Sequence, residues 1–271
     1  MIQKNKISGL RILAITLSLA NLQITNAQDG NLSSIKTLEN LDLASSETVL
    51  PNPGEILQVL DGLDGIDWNA AARDALKHQT KPSTELERDY FLGIYAADAF
   101  LAIQAKDNEL LSSSAKNMFS LRAHLKIGIS QLSNLRQLQK AQKGKDWGAI
   151  YTIIDQIYSE TQDYLIKNQN EDAFRLGSLG AWFRGAEIVA NLLEKRYDAQ
   201  SSIVLYQPRV ASQLAEMAGK IERYDEHSLA PFTIGLADYQ KTIATFDNER
   251  LTEKQIGQIY SITQKALVRS K

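Results

Sequence analysis

Hydrophobic positions along this chain fall into two regimes. Near the start lies one predominantly apolar stretch, residues 12–22, preceded by Lys4, Lys6 and Arg11, and the first 27 residues carry no acid. Beyond Pro53 the apolar residues recur at steps of three and four, with no sustained alternation of the kind a half-buried strand needs. The first regime has the charged, apolar and polar parts of a secretory leader, with Thr25 and Ala27 at the −3 and −1 positions of a cut after Ala27. Its apolar block falls short of the ~20 residues that span a bilayer, so a cleaved leader is expected rather than a retained anchor. The Lys/Asn/Ile-rich style of this leader fits bacterial export.

The second regime predicts an all-α fold, an antiparallel bundle or array of about eight to ten helices. Residues 28–52 form a polar arm or linker between the regimes, ended by Pro51-Asn52-Pro53-Gly54. In that arm Leu32, Ile35, Leu38 and Leu41 recur every third residue and admit a short docked helix. The organisation is thus a leader over 1–27, an arm over 28–52 and a single helical domain over 53–271.

Polar caps mark where the helices start. Asp67 precedes Trp68 and an Ala-rich run, Ser83 precedes a segment reaching about Lys106, and Asp107 precedes one running toward Ile127 with Gly128 as its stop. Further helices are predicted over 130–143, 146–168, 172–196, 207–224, 228–246 and 252–269. Pro208 either opens its helix or kinks a longer one from Ser201, and Pro231 is placed in the first turn after Ser228, where a missing N–H costs nothing. A weak echo runs through the pattern: Asp67-Trp68-Asn69-Ala70 resembles Asp146-Trp147-Gly148-Ala149, and Leu92-Gly93 with Ala97 resembles Leu176-Gly177 with Ala181. A duplication would make two related halves.

Composition removes several classes of chemistry. The chain has no cysteine, which excludes disulfides, thiolate catalysis, Cys-zinc sites and iron–sulfur clusters. Packing alone must stabilise it, and no cysteine is present to carry a lipid. Lys and Arg number 30 against 32 Asp and Glu, and three of the cations belong to the leader, so the remainder is mildly acidic. Such a surface does not recruit nucleic acid. The nearest basic cluster, Lys140, Lys143 and Lys145, reads as a solvated helix end. One sequon, Asn31-Leu32-Ser33, lies in the arm.

Familiar catalytic motifs are missing. His78, His124 and His227 stand alone, without the spacings of di-iron or zinc helices. Asp225-Glu226-His227 is a compact trio at a helix junction, where a solvated turn is the plainer reading. Asp61, Asp64 and Asp67 flank two glycines, but at every third position rather than the alternate positions of an EF-hand loop. No phosphate loop, dinucleotide fingerprint or nucleophile elbow occurs. No cofactor and no metal are therefore expected.

What remains is a handful of polar residues inside apolar helices. The segment 90–104 is apolar around almost its whole circumference except for Asp98 and Gln104. In 173–193, Gly177, Gly180, Arg184, Glu187 and Asn191 share one stripe. The functional reading gathers Asp98, Arg184 and Glu187 in an interhelical pocket walled by Trp182, Tyr95 or Trp147, with the Arg184 fork suited to a carboxylate or phosphate. The plainer reading, favoured because ion pairs outnumber ligand sites, pairs Arg184 with Glu187 on a narrow exposed stripe or ties it to Asp98. Trp68 and Trp147, one residue past their caps, read as core packing.

These features point first to a non-catalytic binding or interaction module of the bacterial periplasm or secretome, whose partner is a small molecule or a protein. It would have no nucleic-acid partner and no stable membrane anchor. One alternative is a cofactor-independent enzyme using Asp98 or Glu187 with Arg184. The other is a purely structural or oligomer-forming envelope protein.

Overall fold

The computed structural model describes residues 50, 52–58, 60, 65–128, 131–245 and 250–267. The leader, the Asn31 sequon and the acids Asp61 and Asp64 lie outside the described residues. What is described is all-α, with ten helices and one short 3₁₀ segment. In chain order the helices are α1 (Pro53–Gln58), α2 (Trp68–Lys77), α3 (Glu85–Ala105), α4 (Asn108–His124), α5 (Gln131–Gly144), α6 (Trp147–Lys167) and α7 (Glu171–Lys195). After the 3₁₀ segment (Ser201–Leu205) come α8 (Pro208–Gly219), α9 (Glu226–Ala244) and α10 (Glu253–Ala266). Among the described residues no helix is long and apolar enough to cross a membrane.

Capping explains most of the boundaries. Asp67 accepts from Ala70 N, Asp107 from Glu109 N and Leu110 N, and Asp146 from Ala149 N. Thr84, rather than Ser83, is the cap of α3, and it forms a reciprocal capping box with Glu87. Ser83 instead donates from its N–H and hydroxyl to the same Glu87 carboxylate. Thr252 forms the second such box, with Gln255. Asn52 does similar work for α1: its Oδ1 accepts from Glu55 N while Glu55 Oε2 accepts from Asn52 N.

Four helix ends turn through a left-handed residue that is not glycine, namely Lys106, Lys126, Lys145 and Gln169. After each, the next N–H reaches back five residues: Asp107 to Ala102 O, Ile127 to Arg122 O, Asp146 to Ala141 O and Asn170 to Leu165 O, at 2.8–3.0 Å. Asp107 and Asp146 then cap the following helix, so at those two junctions only two residues separate the helices, whereas Asn170 stands before α7 without a side-chain cap bond. The chain thus leaves α4 at Lys126, two residues before Gly128. Pro208 opens α8. Pro231 differs from expectation: Asp225 caps α9, so the helix begins earlier and the proline falls in its second turn, where it removes an intrahelical donor.

Helices α3 and α7 form the centre and make the most extensive interhelical packing in the molecule. They are buried along most of their lengths, as the long apolar stretches between their polar ends require. Around them α1, α2, α4 and α6 pack on α3, and α8 and α10 on α7, with α9 bridging α8 and α10. Glycine makes the central approach possible. A Cβ on Gly93 would lie 1.8 Å from the Gly177 carbonyl oxygen, and one on Gly180 would lie 2.1 Å from the Tyr90 oxygen. Gly177 faces Asp89 near the start of both helices and Arg184 faces Asp98 further along both, so the two helices run in the same sense. The echoed Leu-Gly pairs meet at this crossing. Asp67 and Asp146 cap alike, but their helices have 10 and 21 residues.

Candidate functional site

The close crossing of α3 and α7 brings Asp98 and Arg184 together. Arg184 Nε donates to Asp98 Oδ1 at 2.7 Å, and Arg184 Nη1 donates to Glu187 Oε2 one turn further along α7. All three side chains are buried, at 2%, 8% and 1% relative exposure for Asp98, Arg184 and Glu187. The stripe predicted on α7 is therefore an interior one. Gly177 and Gly180 make the backbone crossing, and Arg184 meets Asp98 beyond it.

Two carboxylates share one guanidinium here. Burial raises the Asp98 carboxyl above the usual carboxylate range, with the Arg184 charge and hydrogen bond and the Gln79 amide opposing and the Glu187 charge adding to the rise. Burial works against the charge on Arg184, but Asp98 and Glu187 outweigh it and hold the guanidinium above its ordinary range. The arginine is a fixed positive centre between two acids.

A cavity of about 30 Å³ abuts this triad between α2, α3 and the end of α10. Asp98 and Arg184 line it together with His78, Gln79, Tyr95 and Leu267. A water needs about 10–15 Å³ on this measure, so the space suits two waters, whereas ligand sites run to several hundred Å³. Tyr95 forms a wall, as the functional reading placed it, and its hydroxyl donates to Thr80 O at 2.5 Å. Burial, with the Asp98 charge adding to it, raises that phenol. Trp182 does not wall the cavity. Its indole N–H donates to Gln207 Oε1 at 2.9 Å, and its ring stands edge-on to Phe183 and Tyr239. Trp147 is half-buried at the start of α6, away from the cavity.

Sequence reasoning passed over two other buried charges. Arg122, fully buried, donates to Ile157 O at 2.6 Å and Thr161 Oγ1 at 2.7 Å, with Glu160 at 3.7 Å, and so ties α4 to α6. From sequence it looks like an ordinary cation in the last turn of a helix. Asp89, 1% exposed near the start of α3, accepts from Tyr224 and Arg223. Its one sequence signal is its place just before the apolar run of α3.

The other candidate ligands serve as caps or lie at the surface. Asp225 accepts from Ser228 N and Oγ as the cap of α9. His78 is exposed, its Nδ1 2.8 Å from Asp74 O. Among the described residues no three His, Cys, Asp or Glu side chains are grouped to hold a metal. Comparison with protein-family models, with curated proteins and with solved structures finds no match.

Proposed function

We propose that this chain is an exported helical scaffold of the bacterial envelope, without a catalytic centre, in which Asp98, Arg184 and Glu187 form a structural tie across the α3–α7 crossing. The observation that carries this reading is the geometry of the triad: the three charges satisfy one another inside the core, and the adjoining space suits about two waters rather than a metabolite. Export rests on the leader-like pattern of residues 1–27.

A second reading has its own observation. Asp98 lines the cavity and its carboxyl is pushed up by burial, which is the condition an acid–base group needs. In that reading Asp98 exchanges a proton with a very small substrate and Arg184 orients it. A thermal-shift screen of the protein against small carboxylates, amines and amides separates the two, with Asp98→Asn run in parallel. The scaffold reading predicts no shift in either protein. A rise in melting temperature with one compound class, absent in Asp98→Asn, overturns it in favour of the second.

A further inference from the structure

The turn joining α8 and α9, residues 220–225, meets α3 through one buried carboxylate. Asp89 Oδ2 accepts from the Tyr224 hydroxyl at 3.0 Å and from Arg223 Nη1 at 3.3 Å. The same guanidinium reaches Glu85 Oε1 at 3.4 Å and Asn170 Oδ1 at the start of α7. A different acid holds the backbone of the turn: Asp172 Oδ2 accepts from Glu222 N at 3.2 Å and Arg223 N at 2.9 Å. Arg175 in turn grips Asp172 at 2.8 Å and Lys220 O at 3.2 Å. The turn therefore has two anchors, one for its backbone on α7 and one for its side chains on α3.

We infer that the α8–α9 turn is a pH-sensitive latch, closed on α3 while Asp89 is ionised and opened at its Arg223 end when Asp89 takes up a proton. The geometry supplies the asymmetry a latch needs. Asp89 is sealed in the protein, whereas the Arg223 side chain is 34% exposed and can swing outward with the exposed Glu85 carboxylate once Asp89 is neutral. A neutral carboxyl still accepts the Tyr224 hydroxyl, so the acid stays in place while the guanidinium leaves. Burial pushes Asp89 up to about 6, with the Tyr224 hydrogen bond and the Arg223 charge opposing that rise. On α3 itself Glu85 adds to the rise and Arg88 opposes it. Asp172 and Arg175 face the turn from α7. His227 acts on Asp225 at the end of the turn, and histidine as a residue type changes charge in the same pH range, so the test is run in a His227→Gln background.

Amide hydrogen exchange of the whole chain, corrected for intrinsic rates, reads the latch through the Glu222 and Arg223 N–H bonds to Asp172, which open more often once the side-chain anchor on α3 is lost. At about pH 5 roughly nine-tenths of Asp89 is protonated, and protection over residues 220–225 is expected to fall about fivefold from its value at about pH 7.5. Asp89→Asn should exchange at the faster rate at both pH values. Equal protection of the turn at both pH values overturns the inference, and so does a pH response that persists in Asp89→Asn. If that variant does not fold, Arg223→Gln decides: with Asp89 intact the response should vanish, and its survival overturns the latch.

Discussion

Asp89 and Asp98 occupy one helix, about 13 Å apart along its axis, and each is buried against an arginine. Their partners differ in what holds them. Arg184 projects from the central helix α7, is itself buried, and is shared by a second acid, Glu187. Arg223 projects from a turn, is partly solvated, and divides its donors among Glu85, Asp89 and Asn170. A buried acid facing a buried arginine on a rigid helix is a permanent tie, because neither partner can reach bulk solvent and parting them would leave buried charges uncompensated. A buried acid facing a half-solvated arginine on a turn is conditional, because one partner can leave. The backbone crossing at Gly93 and Gly180 reinforces the difference, since it holds the helices in contact just before Asp98.

The comparison can be broken at its strong end first. Arg184→Met leaves two carboxylates buried near each other and should cost about 3–5 kcal/mol in urea unfolding. An unchanged midpoint would mean that the guanidinium carries no burden. Removing the acids as well, in Asp98→Asn/Arg184→Met/Glu187→Gln, should restore a large part of that loss, because most of the penalty comes from uncompensated charge. A triple variant no more stable than Arg184→Met would instead point to lost packing.

Gly180→Ala tests the crossing. Its Cβ would meet backbone rather than a movable side chain, so a loss of about 2–3 kcal/mol is expected from thermal unfolding. Gly177→Ala, whose Cβ would lie 3.5 Å from Asp89 O in ordinary contact, should be far milder. Equal effects at the two sites would contradict the close approach described here.

At the conditional end the expected effect is a pH dependence. The pKa of Asp89 is raised on folding from about 4 to about 6, so between those values the folded state binds more protons than the unfolded one. Stability is therefore greater below about pH 4 and falls as pH rises through 6, by at most about 3 kcal/mol. Asp98, also raised by burial, acts in the same direction. Glu87 and Asp225, whose pKa values hydrogen bonds lower on folding, act oppositely: they stabilise at higher pH and lose that contribution as pH falls through their lowered values. Chemical unfolding at a series of pH values should thus show greater stability at about pH 5 than at about pH 7.5, and Asp89→Asn should flatten that slope. The smallest effect is expected for Arg223→Gln at neutral pH, about 1 kcal/mol or less, since a partly solvated ion pair contributes little.

These two regions were not equally legible in the sequence. The all-α class and most helix starts were readable because periodicity and caps are local signals, and Asp67, Asp107, Asp146 and Thr252 each act within three residues of themselves. The left-handed ends were not readable, because Lys and Gln stand where glycine is the usual marker. Asp98, Arg184 and Glu187 stood out as charges within apolar stretches, although sequence alone could not decide whether they meet. Their convergence depends on two backbone approaches, at Gly93 and Gly180, and only three dimensions display it. Asp89 and Arg122 were hidden because each lies near the end of its helix, where a charge normally reaches solvent. Trp182 misled for a related reason: it lies two residues from Arg184 on α7, and helical residues two apart point to nearly opposite sides.

A double-mutant cycle between Asp98 and Arg184, measured by urea unfolding at neutral pH, tests the permanent tie most directly. With Asp98→Asn, Arg184→Met and the double variant, the account predicts a coupling of about 2 kcal/mol or more. A coupling indistinguishable from zero, with both single variants close to the parent in stability, would contradict it.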